Sequence, residues 1–132
     1  MTALAAAREQ TARIARLNDL ARQAIGVACT AVATVGFRSL PASDQSCVRE
    51  LIENYDAFDE DSDPHGEHDF GTIYQLGDGR WTTERPRSRD DERERVFWKF
   101  DYYDRDLQFG SEDAANPAVT RRVLTIMLAD EY

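Results

Sequence analysis

The sequence lacks the short motifs that most often reveal a protein's chemistry. Its two cysteines, Cys29 and Cys47, form no CxxC pair, and there is no HExxH or HxH motif. The "GDG" at 77–79 has neither the pattern of a phosphate-binding loop nor a helix predicted after it. These absences exclude the common zinc-binding and nucleotide-binding motifs.

Long hydrophobic runs are also absent. The most apolar stretch, "AIGVACTAVATVGF" at 24–37, is shorter than the roughly 20 residues that a membrane-spanning helix needs. The segment before it contains Glu9 and Asp19 and is too long for the first region of a signal peptide. We therefore expect a cytoplasmic protein that makes no membrane contact and keeps its thiols reduced.

Lysine is nearly missing, and acidic residues dominate. Lys99 is the one lysine among 16 basic residues, against 25 acidic residues and a net charge of -9. This charge argues against direct nucleic-acid binding, because phosphate groups repel such a surface. It favours a protein partner with a basic surface. A length of 132 residues with 42% hydrophobic content predicts one globular domain, 1–132.

Residue periodicity predicts the secondary structure. We expect helices at 3–24, 39–58 and 117–132, and strands at 27–35, 70–76 and 96–103. The Ala-rich residues 1–10 favour fraying, and 82–95, which contains no apolar residue, is expected to be a mobile charged loop. The order of elements predicts an α+β fold, with a small antiparallel sheet and three helices packed against it. The last helix is apolar around much of its circumference, which leaves a homodimer open.

One segment of the chain is strongly acidic. Between Glu50 and Gly79 there are ten acidic residues and no lysine or arginine. Such a surface speeds association with basic partners and disfavours other partners. The candidate partner-binding residues are Glu53, Asp56, Asp59, Glu60, Asp61 and Asp63.

The stretch "DPHGEHDFG" at 63–71 offers a second candidate site. Glu67, His68 and Asp69 provide nitrogen and oxygen ligands suited to a divalent transition metal. Neighbouring residues on a strand point to opposite faces, so a second element must contribute, and Asp101 on the 96–103 strand is the natural candidate. A calcium-binding EF-hand loop does not fit, because Thr72 stands where the bidentate glutamate belongs. The alternative is structural: an acidic turn that leads into a strand.

Three blocks of sequence carry a family resemblance. "GEHDFG", "FWKFDYYDRD" and "NPAVTRRVLTIMLADEY" together resemble an uncharacterised family of small acidic bacterial proteins, a domain of unknown function common in alphaproteobacterial genomes and plasmids. The resemblance covers about residues 13–132, and the stretch between Gly79 and Val96 is longer and more charged than the family pattern. It implies no activity, cofactor or catalytic residue, and its plasmid association implies an accessory role in a mobile element.

Two function hypotheses follow. The first is a non-catalytic acidic accessory protein of a mobile element, with no cofactor, acting as an inhibitor on the basic surface of a nucleic-acid-processing defence protein. The second is a small hydrolase that uses a divalent metal held by Glu67, His68, Asp69 and Asp101. We favour the first, because the chain has no second dense cluster of chemically active residues.

Overall fold

The computed structural model describes residues 2–132, in which helices and a five-stranded sheet share one core. The helices are α1 (Ala3–Gln23), α2 (Val35–Arg38) and α3 (Ala42–Glu53). The strands are β1 (Thr30–Ala33), β2 (Phe70–Leu76), β3 (Trp81–Thr82), β4 (Glu92–Tyr103) and β5 (Arg121–Leu128), and two 3₁₀ turns span Arg89–Asp91 and Ala129–Glu131. The predicted α+β class is confirmed.

The sheet has the strand order β1-β5-β4-β2-β3. β2, β3, β4 and β5 pair antiparallel, whereas β1 pairs with β5 in parallel, so the sheet is mixed rather than purely antiparallel. Parallel strands need a long crossover connection, and here it runs from β1 through α2, α3 and the strands β2 to β4 before the chain reaches β5. The predicted strand at 27–35 is reduced to the four residues of β1.

The prediction of a helix at 117–132 is wrong, because the segment forms β5. Burial alternates along the strand, with Arg122, Leu124 and Ile126 facing the core opposite Tyr102, Phe100 and Trp98. A short apolar run fits a buried helix or a buried strand equally well, so periodicity could not separate them. The apparent helix start at Asn116 is instead a turn, in which Ala118 N donates to Asn116 Oδ1 at 2.9 Å. The argument for a homodimer, which rested on an apolar helix, therefore does not apply.

α1 agrees with the helix predicted at 3–24 to within one residue, and Thr2 Oγ1 caps its first turn by accepting from Ala5 N at 3.0 Å. The region expected to be a helix at 39–58 holds the shorter α3, preceded by the separate α2. Of the segment 82–95, expected to be a mobile loop, the last four residues belong to β4. There the Arg95 guanidinium lies over the ring of Tyr74, 5.2 Å from its centroid, and pairs with Glu92 at 2.6 Å.

The core lies between the sheet and the two longer helices. Trp98, Ile73, Leu124, Val48 and Ile52 are fully buried in one cluster that also receives Ala21 and Ile25. Across residues 2–132, no helix combines the length and apolar character needed to cross a membrane.

Candidate functional site

A groove of about 570 Å³ opens between α1 and the segment that leaves α3. We call it the acidic groove. Its lining residues are Asp19, Arg22, Gln23, Glu53, Asn54, Tyr55, Asp56, Phe58 and His68. Three of these are carboxylates and one is an arginine, so the lining is net negative, and the position of the arginine decides how strongly.

The charge of Arg22 is directed into the protein. Its side chain is buried, with 3% exposed, and it donates from Nε to Ile52 O at 2.8 Å and from Nη2 to Tyr55 O at 2.9 Å. These carbonyls lie at and just beyond the end of α3, where Ile52 O also accepts from Tyr55 N at 3.2 Å, so the guanidinium adds donors to the helix end. Nη1 pairs with Asp19 at 2.9 Å. The guanidinium therefore joins α1 to α3 and presents little positive charge to the groove.

His68 is held on one wall of the groove by three contacts. Its ring stacks on Phe58, with centroids 4.0 Å apart and planes 1° from parallel. Its Nδ1 lies 3.0 Å from Asp19 Oδ1, and its Nε2 lies 3.8 Å from Asp63 Oδ2. The backbone of His68 has φ 56°, a left-handed conformation that is unfavourable for a residue other than glycine and that recurs at functional sites.

The predicted partner-binding carboxylates do not all face solvent. Asp56, Asp59, Glu60 and Asp61 are exposed, and Glu53 is half-buried at the groove. Asp63 is turned inward with 5% of its side chain exposed, and it accepts from the backbone N–H of His68. Asp59 accepts from Ser62 N at 2.7 Å, and this hydrogen bond lowers the pKa of Asp59. Five of the six residues are therefore available to a partner, and Asp63 shapes the loop.

The four residues of the metal hypothesis are not brought together. Phe100 N donates to Asp69 O, so Asp69 lies opposite Phe100 in the β2–β4 register. Asp69 and Asp101 therefore lie on opposite faces of the sheet. Asp101 pairs with Lys99 at 2.9 Å on the opposite face of β4. Burial, then the neighbouring Glu67, raise the pKa of the half-buried Asp69. Within residues 2–132, no three His, Cys, Asp or Glu side chains are placed to hold a metal ion.

Glu67 instead belongs to a polar network beneath the groove. Its Oε2 accepts from Tyr102 OH at 3.1 Å, and its backbone carbonyl accepts from Asn18 Nδ2 at 3.0 Å. Asn18, which is fully buried, also bonds Tyr102 OH at 2.8 Å and accepts from Arg122 Nε at 2.8 Å. Burial raises the pKa of Tyr102, which keeps its hydroxyl a hydrogen-bond donor. The network fixes 63–69 against α1, β4 and β5.

Sequence reasoning missed the contribution of α1. No site role is predicted from the sequence for Asn18, Asp19 or Arg22, yet their side chains bond Glu67, His68 and Ile52. The available signal was spacing, because Asn18 and Arg22 are four residues apart and fall on one helix face beside Ala21. Two polar residues on an otherwise apolar face indicate buried polar contacts.

Comparison with known proteins identifies a family. A family model described as "Protein of unknown function (DUF3768)" matches residues 33–131. The chain belongs to this family. The match includes the groove segment 53–68 and all five strands except the first three residues of β1, but it does not include α1. No curated protein and no solved structure matches the chain.

Proposed function

We propose that this DUF3768 protein is a non-catalytic accessory protein that binds a basic protein partner through its acidic groove and the adjoining carboxylates. One observation carries the proposal. Within the described part of the chain, Glu53, Asp56, Asp59, Glu60 and Asp61 form no ion pair. An acidic surface without internal cations attracts the guanidinium and ammonium groups of a partner.

The groove offers specific chemistry to such a cation. Glu53 and Asp56 supply carboxylates on the groove lining, and the Phe58–His68 stack supplies a flat wall. A guanidinium fits such a site, because it can bond a carboxylate with two N–H groups while lying against an aromatic face. Arg22 does not pair with Glu53 or Asp56, since its donors bond Ile52, Tyr55 and Asp19.

The partner class we propose is a nucleic-acid-processing defence protein, which carries a basic groove for phosphate. In this proposal the chain acts as an inhibitor encoded on a mobile element and needs no cofactor. Support comes from the acidic segment and from the plasmid association of the resemblance described above. We also propose that it acts in the cytoplasm, which is consistent with the free thiols of Cys29 and Cys47.

The experiment compares two variants of equal net charge. The test variant carries Glu53→Gln, Asp56→Asn, Asp59→Asn, Glu60→Gln and Asp61→Asn. The matched control neutralises five exposed carboxylates elsewhere: Glu9→Gln, Glu84→Gln, Asp90→Asn, Asp106→Asn and Glu112→Gln. Binding of a labelled arginine-rich peptide is measured from about 50 to about 300 mM salt, a range over which screening of exposed charges grows strongly.

We expect the test variant to bind about tenfold more weakly at low salt, and the control to bind like the wild type. Binding of the wild type should also weaken steeply with salt. Equal losses in both variants would show that net charge alone attracts the peptide, and the proposed groove would be wrong. Binding that does not change with salt would also contradict the proposal.

A second candidate function is hydrolysis, which the Asp19–His68 contact favours. A carboxylate bonded to Nδ1 fixes the imidazole tautomer and leaves Nε2 as a general base. The metal-dependent form of this hypothesis, with Glu67, His68, Asp69 and Asp101 as ligands, requires these side chains to rearrange, because Asp101 pairs with Lys99 and Glu67 bonds Tyr102. Hydrolysis of ester and phosphoester substrates that is lost in His68→Ala would support this function over binding.

A further inference from the structure

A second cleft, at the start of the β1–β5 pairing, has the opposite charge to the acidic groove. Its volume is about 560 Å³. We call it the arginine cleft. One wall is formed by residues 26–31, between α1 and β1, and the other by Arg105, Thr120, Arg121 and Arg122. Pockets of this size commonly hold small molecules.

The three arginines have no carboxylate partner. Arg105 and Arg121 are exposed and, among residues 2–132, form no ion pair. The neighbours of Arg105 in sequence, Asp104 and Asp106, do not neutralise it: Asp104 accepts from Gln108 N at 3.0 Å, and neither carboxylate pairs with an arginine.

Arg122 is buried, with 7% exposed, and is held in place from within the protein. Its Nε donates to Asn18 Oδ1 at 2.8 Å, one Nη donates to Ala114 O, and its guanidinium lies 5.2 Å from the centroid of Tyr102. These hydrogen-bond partners are neutral, and the carboxylate of Glu67, which accepts from Tyr102 OH, acts on Arg122 only through space. Because Arg122 is buried, an anion that binds in the cleft would further stabilise its charge.

An apolar extension adjoins the arginine cleft. A cavity of about 250 Å³ shares Ala28, Arg105, Thr120 and Arg122 with it and is otherwise lined by Leu17, Leu20, Ala21 and Pro117. Leu20 is 62% exposed although it sits beside the core-facing Ala21. A cationic cleft continuous with an apolar surface suits a ligand that has both an anionic and an apolar part.

We propose that the arginine cleft binds a small molecule carrying a phosphate group, with its apolar part directed toward Leu17 and Leu20. Arg105 and Arg121 supply exposed guanidinium groups, which bond phosphate through paired N–H groups, and the buried Arg122 adds positive charge to the lining of the cleft. The net charge of -9 opposes a polymer of phosphates but not an isolated one. This inference is independent of the acidic groove, so either can fail alone.

The experiment measures binding of inorganic phosphate, phenyl phosphate and benzoate by calorimetry in chloride buffer at constant ionic strength. The test variant is Arg105→Gln/Arg121→Gln, which leaves the buried Arg122 in place. The matched control is Arg85→Gln/Arg87→Gln, two exposed arginines outside the cleft. A third variant, Leu20→Ala, tests the apolar extension.

We expect saturable phosphate binding by the wild type and the control, and dissociation constants at least about tenfold higher for the test variant. Phenyl phosphate should bind more tightly than inorganic phosphate, and Leu20→Ala should reduce that difference. No saturable binding, or equal weakening in the test and control variants, would overturn the site. Benzoate binding more tightly than phenyl phosphate would overturn the assignment to phosphate.

Discussion

The imidazole of His68 lies flat against the ring of Phe58, with their planes 1° from parallel and their centroids 4.0 Å apart. The same imidazole contacts Asp19 on α1 and approaches Asp63 on its own loop. One side chain thus joins the helix, the loop and the aromatic core. The loop 53–68 contributes most of the residues that line the acidic groove. By holding this loop against α1, His68 positions the carboxylates of the groove.

Replacing His68 should therefore destabilise the part of the protein that forms the acidic groove. We expect His68→Ala to lower the free energy of unfolding by about 1–2 kcal/mol, because the stacking contact and the Asp19 hydrogen bond are both lost. His68→Gly should be about 1 kcal/mol more stable than His68→Ala, since glycine accepts a positive φ without strain. Urea unfolding measures both values. His65→Ala, an exposed neighbour, is the matched control, and wild-type stability for His68→Ala would contradict the anchoring role.

Metal addition separates the two function hypotheses. We expect Mg, Ca, Mn and Zn to produce no rise in melting temperature that depends on His68, because Asp101 is paired with Lys99 and His68 faces Asp19. A metal that binds the native state must raise its stability in proportion to occupancy. Metal-stripped wild type and His68→Ala are compared with each ion. A clear rise in the wild type that vanishes in His68→Ala would establish a metal site and favour the hydrolase.

Arg22 should be the most sensitive residue of the groove. Arg22→Ala removes the guanidinium donors from the carbonyls of Ile52 and Tyr55, and Ile52 O keeps only backbone donors. We expect a loss of about 2–4 kcal/mol in the free energy of unfolding. Arg16→Ala on the exposed side of the same helix should change it by less than about 0.5 kcal/mol. Chemical denaturation measures both. Similar effects in the two variants would mean that Arg22 acts only through surface charge.

The α+β class and the acidic segment could be predicted from the sequence, but the contacts that hold this segment against α1 could not. The strand of Val96 to Tyr102 was found because its alternation is strict, whereas Leu124 and Ile126 lie in a continuous apolar run that suits a helix equally well. The separation of Asp69 from Asp101 depends on strand register, which pairs Phe70 with Lys99. Register is set by long-range packing and cannot be read from either strand alone.

The contacts of Asp19 and Asn18 were missed for a related reason. Their partners His68 and Glu67 are 49 residues away in sequence. No local pattern links α1 to the acidic loop, and the charges of the helix resemble those of a solvated surface. Only the apolar neighbours of Asn18 indicated that this face of α1 is buried.

The half-buried Asp69, which follows the loop 53–68, makes the stability of the folded protein depend on pH. Burial and Glu67 raise its pKa in the folded state, so the folded protein holds this proton more tightly than the unfolded chain does. For an acid shifted in this direction, stability falls as pH rises from the ordinary aspartate value, about 4, through the raised value. Below that window both states are protonated, and the shift contributes nothing.

Asp69→Asn removes this cost and should be more stable than the wild type at neutral pH, with the difference shrinking as pH falls through the raised pKa of Asp69 toward about 4. The difference between the two proteins isolates the effect of Asp69, because the other carboxylates change the stability of both proteins with pH. Urea unfolding across the pH range measures it, and near-ultraviolet circular dichroism checks that the variant keeps its aromatic packing. A difference that stays constant with pH would show that the Asp69 carboxylate is not disfavoured by its surroundings. Asp69 would then be well solvated in the folded protein, and Asn18, Tyr102 and Glu67 alone would hold the loop in place.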